Sequence, residues 1–189
     1  MTILLATDVF GPTPALENMV RTLGQPCVVI SPFDDPQLYF HEEKTAYDAF
    51  LVQRGVTRYA EKLIHALQEY GANIQMTIGF SAGASALWIA STNEAATQLR
   101  ANILFYGSRI RDHKNVQPYC PVRLIFAENE PAFNAAALCK DLRDLGHQAE
   151  LVRGAKHGFM NPHSSGFDGK IQAIFLKQLS RLAIELGEN

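Results

Sequence analysis

The chain has 189 residues, 47% of them hydrophobic and 19% charged, and a net charge of −2. That suits one domain with an ordinary core, and the near-neutral balance argues against nucleic acid or an anionic membrane surface as a partner. The opening MTILLATDVFGPTP lacks a basic start and is broken by Asp8, so it does not read as a signal peptide, and no apolar run approaches the roughly 18 residues that span a bilayer.

In chain order, residues 3–6 form an apolar run that reads as a strand. Helical period follows: Leu16, Met19, Val20 and Leu23 share a face, Thr13 can cap the start, Pro14 suits the first turn and Gly24 the end. A cysteine, Cys27, opens the second strand at 27–30. With Cys120 and Cys139 it is widely spaced and odd in number, which reads as reduced thiols and a cytoplasmic setting. Segment 31–44 is long, aromatic and punctuated by prolines, the character of a lid or wall.

A helix is expected over about 45–70, with Val56, Ala60, Leu63 and Leu67 on one stripe and Gly55 kinking or splitting it. Next come a strand at 75–80 and a helix starting just after Ser81, with Trp88 as core. Strands at 103–106 and 122–127, a helix ending near Leu145, a strand at 149–152 and a closing helix complete the chain. The closing helix is expected to turn Ile171, Ile174, Phe175, Leu179 and Leu182 inward. Continuous apolar strands suit a sheet covered on both faces. The expected fold is one α/β domain over residues 1–189, a three-layer, doubly wound, mainly parallel six-stranded sheet. Active sites of such sheets lie at the carboxyl ends of the strands.

The third strand ends in Gly79-Phe80-Ser81-Ala82-Gly83, followed by a helix. G-x-S-x-G at a strand-to-helix turn lifts a serine above the sheet, and the small flanking residues let strand and helix approach. A serine hydroxyl needs a base. His157 follows the last strand, after both the serine and any acid, which is the hydrolase order. His147 precedes that strand, His65 lies on a helix, and His41, His113 and His163 sit in connections, so solvated or structural roles suit these five. The acid should follow the fifth strand, where Glu128 and Glu130 both stand. Alternation points them apart, and the residues alone do not choose. Two N–H donors must hold an oxyanion: the Ala82 amide, and the Val9 amide in the loop after the first strand. Asp8 either faces the Ser81 hydroxyl or simply initiates the turn.

These segments resemble the dienelactone hydrolase family of α/β-hydrolases across nearly the whole chain. ILLATDVFGPTP is similar to its first central strand and oxyanion loop, VVISPFDD to the strand before its Pro-Asp loop, and GFSAG to its nucleophile elbow. RLIFAENEPAF resembles its acid-bearing strand, and GAKHGFMNP its His-Gly-Phe segment, the most specific match. The resemblance implies Glu130, over Glu128, as the triad acid, and supports the Val9 and Ala82 amides. Four features depart from it: serine for the namesake's cysteine, glutamate for aspartate, Ala84 for a second glycine, and no arginines placed like those that hold the dienelactone carboxylate. The resemblance also implies a minimal version of the fold with neither antiparallel edge nor cap domain.

The pocket is expected between Phe10, Phe33, Tyr39, Phe40, Tyr106, Phe159 and Met160. The activity expected is hydrolysis of a small-molecule ester, thioester or lactone, with no metal or organic cofactor. Acyl transfer, peptide hydrolysis, or a non-catalytic binding module on the same fold stand as alternatives. A dinucleotide site is disfavoured, because DVFGPTP lacks the G-x-G-x-x-G glycines and its prolines remove N–H donors.

Overall fold

The computed structural model describes residues 1–188. Six strands form one sheet: β1 (Thr2–Ala6), β2 (Cys27–Ile30), β3 (Ile74–Phe80), β4 (Ala101–Phe105), β5 (Val122–Asn129) and β6 (Gln148–Lys156). Their order is β2-β1-β3-β4-β5-β6, and every pairing is parallel. The four central strands are the continuous apolar runs, because helices cover both of their faces. β5 and β6 run further than their apolar character suggests. Glu128 and Asn129 extend β5, and Arg153, Gly154, Ala155 and Lys156 extend β6, held by cross-strand pairing of Asn129 with Lys156.

Six helices complete the layers: α1 (Pro14–Leu23), α2 (Glu43–Val52), α3 (Gly55–Tyr70), α4 (Ala82–Ala90), α5 (Ala135–Asp144) and α6 (Gly169–Gly187). On one face, Leu16, Met19 and Leu23 of α1 and Phe175, Leu179 and Ala183 of α6 pack on Leu5, Ile78, Ile103 and Phe105. On the other, Leu63 and Leu67 of α3, Trp88 of α4 and Leu138 and Leu142 of α5 pack on Leu4, Leu104, Leu124 and Phe126. Removing the side chain of a fully buried leucine such as Leu63 or Leu104 from either layer costs about 2–5 kcal/mol, lost transfer energy plus a cavity. Trp88 is core as expected, its Nε1–H donating to the His113 carbonyl at 2.9 Å.

Two local expectations change, and a third is decided between its two alternatives. Of the two outcomes expected at Gly55, the helix over 45–70 takes the split, because Arg54 and Gly55 both take left-handed φ, +65° and +62°. Thr13 occupies the N-cap of α1, but its hydroxyl caps nothing; the backbone hydrogen bonds of the turn suffice with Pro14 at the first position. Ile174 is 58% exposed. The buried stripe of α6 runs through Phe175, Leu179 and Ala183, and Ile174 falls one position off it.

Candidate active site

The strand order reverses between β1 and β3, and the loops that leave the carboxyl ends there open a crevice. Registers bring the candidate residues together. Ala6 pairs with Gly79, so the loop after β1 stands beside the turn after β3. Phe80 pairs with Phe105, and the Ser81 N–H donates to the Phe105 carbonyl at 2.9 Å. Asn129 pairs with Lys156, so the next residues, Glu130 and His157, emerge side by side. The unforeseen lengthening of β5 and β6 is what carries both to the rim.

Ser81 Oγ lies 2.9 Å from His157 Nε2, and His157 Nδ1 lies 2.6 Å from Glu130 Oε2. A carboxylate only accepts, so Nδ1–H donates to Glu130, and Nε2 is left as the lone pair facing the serine hydroxyl. The Glu130 side chain is 1% exposed and that of His157 23%. Glu128 takes a different part: it is exposed, and its Oε2 accepts the Gly154 N–H at 2.7 Å. Of the two glutamates, it is Glu130 that lies against the imidazole. Tyr106, fully buried, sets its ring edge-on to that imidazole with centroids 5.1 Å apart. The other five histidines lie elsewhere: His147 meets Trp88 before β6, and His163 sits between Phe10 and His41.

The serine turn is strained, with Ser81 at φ +49° and ψ −106°, a region costing about 1–3 kcal/mol for a non-glycine residue. The flanking glycines make it feasible. A Cβ on Gly79 would stand 2.7 Å from the Ala84 Cα, and one on Gly83 would drive into the Ala6 and Thr7 carbonyls. Helix α4 therefore sits directly against β1 and β3. Gly83→Ala is expected to cost about 3 kcal/mol by overpacking against backbone that cannot yield, read as a lowered urea midpoint at unchanged m-value. An unchanged midpoint would show that strand and helix have room to separate.

Val9 and Ala82 both border the space in front of Ser81. Ala82 is the first residue of α4, so its N–H is one of those a helix leaves free. The Val9 N–H donates to no acceptor among the described residues. Asp8 does not face the serine hydroxyl. Its Oδ1 accepts the Phe10 N–H at 3.0 Å, closing the turn, and its Oδ2 accepts from Asn161 Nδ2 at 2.7 Å.

The model of the dienelactone hydrolase family matches residues 27–179. The chain belongs to the dienelactone hydrolase family. An uncharacterized relative from Bacillus subtilis (strain 168), YczH, is 32% identical over 184 residues, covering 94% of this chain and 88% of its own. Among solved structures, a protein assigned as a dienelactone hydrolase from Klebsiella pneumoniae subsp. pneumoniae superposes with TM-score 0.72 at 15% identity, over 97% of this chain and 86% of its own. A dienelactone hydrolase-like promiscuous phosphotriesterase from metagenomic libraries gives 0.67 at 17% identity, over 98% and 86%. An α/β serine hydrolase homologue from Coxiella burnetii gives 0.60 at 13%, over 96% and 84%. At such identities the structures share the α/β-hydrolase fold.

In this member of the dienelactone hydrolase family a cavity of about 240 Å³ opens on Ser81. One wall is α2, through Glu43, Tyr47 and Phe50, with Val56 from α3. The 3₁₀ turn after β4, Ser108–His113, adds Ser108, Arg109 and Arg111, and Pro131 and Ala132 follow Glu130. Arg109 is held in place: its backbone N–H donates to Ser85 Oγ at 3.2 Å, and its guanidinium donates to the Tyr47 hydroxyl at 3.3 Å and pairs with Asp112 at 3.4 Å. Arg111 lies over the Phe133 ring.

None of the seven residues expected as pocket walls lines this cavity. Phe33 and Phe40 meet with tilted rings and pack down on the α3 side, where Phe10 also lies. Tyr106, Phe159 and Met160 turn to the α1–α6 side, where Phe159 meets Phe105 and Phe175. Tyr39 is at the surface against His41. Apolar burial claimed the other six for the two cores. Within 31–44 only Glu43 borders the cavity, so the wall is a helix rather than the preceding loop. Tyr47 and Phe50, three apart and hence on one helical face, were the signal available in the sequence.

Proposed function

We propose that this protein is a serine hydrolase that cleaves an ester, thioester or lactone of a small molecule through Ser81, His157 and Glu130. The observation that carries this reading is the unbroken chain from Ser81 Oγ through His157 Nε2 and Nδ1 to Glu130 Oε2, at 2.9 and 2.6 Å. Ser81 Oγ attacks the carbonyl while His157 Nε2 takes its proton. Glu130 holds the ring in the required tautomer and stabilises the imidazolium. The Val9 and Ala82 amides receive the oxyanion, each donor worth about 3 kcal/mol. His157 then protonates the leaving oxygen or sulfur, whose bond to the carbonyl carbon breaks to give the acyl-enzyme. Water, deprotonated by His157, attacks the acyl carbon, and Ser81 regains its proton as the acid departs.

A cavity of about 240 Å³ with Phe50, Val56, Pro131 and Ala132 in its walls suits a short apolar group beside the carbonyl. Across p-nitrophenyl esters, kcat/KM is expected to peak at acetate to butyrate and to fall at least about tenfold by dodecanoate, since unaccommodated methylenes forfeit their transfer energy. Steady-state assays across the series check this. Folded protein inert to the whole series would contradict the hydrolase reading, and an optimum at dodecanoate would contradict the cavity.

A further inference from the structure

A second hollow, about 20 Å³ and thus roomy enough for about one water, shares no lining residue with the Ser81 cavity; Thr7, Asp8, Tyr106 and Asn161 border it. Asp8 is 7% exposed yet uses both carboxylate oxygens, one on the Phe10 N–H and one on Asn161 Nδ2. Its two partners belong to different catalytic loops. Phe10 is in the loop after β1 that carries Val9. Asn161 is in the loop after β6 that begins with His157.

Asn161 is itself fixed. Its Oδ1 accepts the His163 N–H at 2.9 Å, so Nδ2 is the atom it offers to Asp8. Its N–H donates to the Gly158 carbonyl, and its carbonyl accepts from Ser164, whose hydroxyl donates to the His157 carbonyl at 3.2 Å. A short, continuous set of hydrogen bonds therefore runs from the oxyanion loop to the backbone of the base.

We propose that the Asp8–Asn161 hydrogen bond is a tie between the oxyanion loop and the histidine loop, making Asp8 and Asn161 positioning residues that set the Val9 amide against the His157 imidazole. This rests on the reading of Ser81 and His157 as nucleophile and base. Burial pushes the Asp8 carboxyl up to about 6, against the pull of Asn161, Phe10 and the nearby His157 and with a small push from Glu43. Tyr59 from α3 and Tyr106 after β4 also feel its charge, and burial raises both phenols. A neutral side chain would fold at less cost, yet a carboxyl is kept where two loops of the site meet.

The test is a reciprocal exchange, assayed by p-nitrophenyl acetate hydrolysis, phosphonate labelling of Ser81 and thermal unfolding. Asp8→Asn sets two amide donors face to face, because the Asn161 oxygen is already engaged. Asn161→Asp sets two carboxylates face to face. The double variant restores one N–H···O bond with its polarity reversed. Each single change is expected to lower kcat by about 10- to 100-fold with KM within about twofold, the cost of a misplaced site, and the double variant to return to within about threefold of wild type.

Stability gives a second readout. A carboxyl whose folded pKa lies above its unfolded value destabilises the fold as pH rises from about 4 to 6. In the double variant the charge moves to the half-buried position 161. Its unfolding temperature should therefore exceed that of wild type at pH 8, with the gap closing by pH 4. A structural pair alone would move stability and leave the kcat of folded protein unchanged. That result, or a double variant as slow as the worse single one, overturns the tie. Should a single variant not fold, the double variant decides. Wild type that neither hydrolyses the ester nor takes the label overturns the hydrolase reading and this one with it; wild type active with Asp8→Asn equally active overturns the tie alone.

Discussion

Ser81→Ala is expected to lower kcat for an activated ester by about 10⁴- to 10⁶-fold with the fold intact. Its Oγ stands 2.9 Å from His157 Nε2, and removing it leaves the base with nothing to activate but water. The Val9 and Ala82 amides would remain, so hydrolysis should stay measurably above the uncatalysed rate. His157→Ala should fall as far, and the double variant little further, because nucleophile and base act as a unit. Relief of backbone strain is not part of the change, since alanine must adopt the same φ of +49°. Steady-state turnover together with the thermal midpoint checks this: a comparable loss of both would point to misfolding, and full activity would place the chemistry elsewhere.

Glu130→Ala should cost about 10³- to 10⁴-fold in kcat, and Glu128→Ala less than about threefold. Glu130 is 1% exposed and 2.6 Å from His157 Nδ1, whereas the Glu128 carboxylate accepts a backbone N–H from an exposed position. Without Glu130 the imidazole is free to place its proton on Nε2, where it cannot accept the serine hydroxyl, and the imidazolium of the transition state loses its counter-charge. Glu130→Gln keeps the shape but not the charge and should lose nearly as much. Stability need not suffer, because Glu130 Oε1 is buried without a partner among the described residues and its desolvation is itself a cost. The comparison is made by kcat at pH 8 for the three variants. A larger loss at Glu128 would contradict the pairing of Asn129 with Lys156 that brings Glu130 to the imidazole.

The sheet was legible because its central strands are largely apolar on both faces, as strands of a helix-covered parallel sheet are, and alternate with helical segments. The ends of β5 and β6 were not. Glu128, Asn129, Arg153 and Lys156 are polar and Gly154 breaks the apolar run, so these ends carry no strand signal of their own and the pairing of the two strands makes them extended. The meeting of Ser81, His157 and Glu130 was legible because each follows a strand and the parallel topology sends all strand ends to one rim. Choosing Glu130 over Glu128 needed the family resemblance, since the choice depends on where β5 stops. The pocket was not legible. Phe33, Phe159 and Met160 have the composition of a binding wall and of a core alike, and their fate depends on which layer each loop folds toward. The wall that does form, from α2 and the turn holding Arg109 and Arg111, comes from segments whose position over Ser81 is set by tertiary packing alone.

A fluorophosphonate captures an activated serine because it reacts with the deprotonated hydroxyl and leaves a stable adduct in the oxyanion hole. Peptide mass mapping of the labelled native protein tests the core of this account most directly. One adduct, on Ser81, absent when the protein is first unfolded or when His157 is alanine, is the result expected. Native protein that stays unlabelled, or that carries the phosphonyl group on another residue, would contradict it.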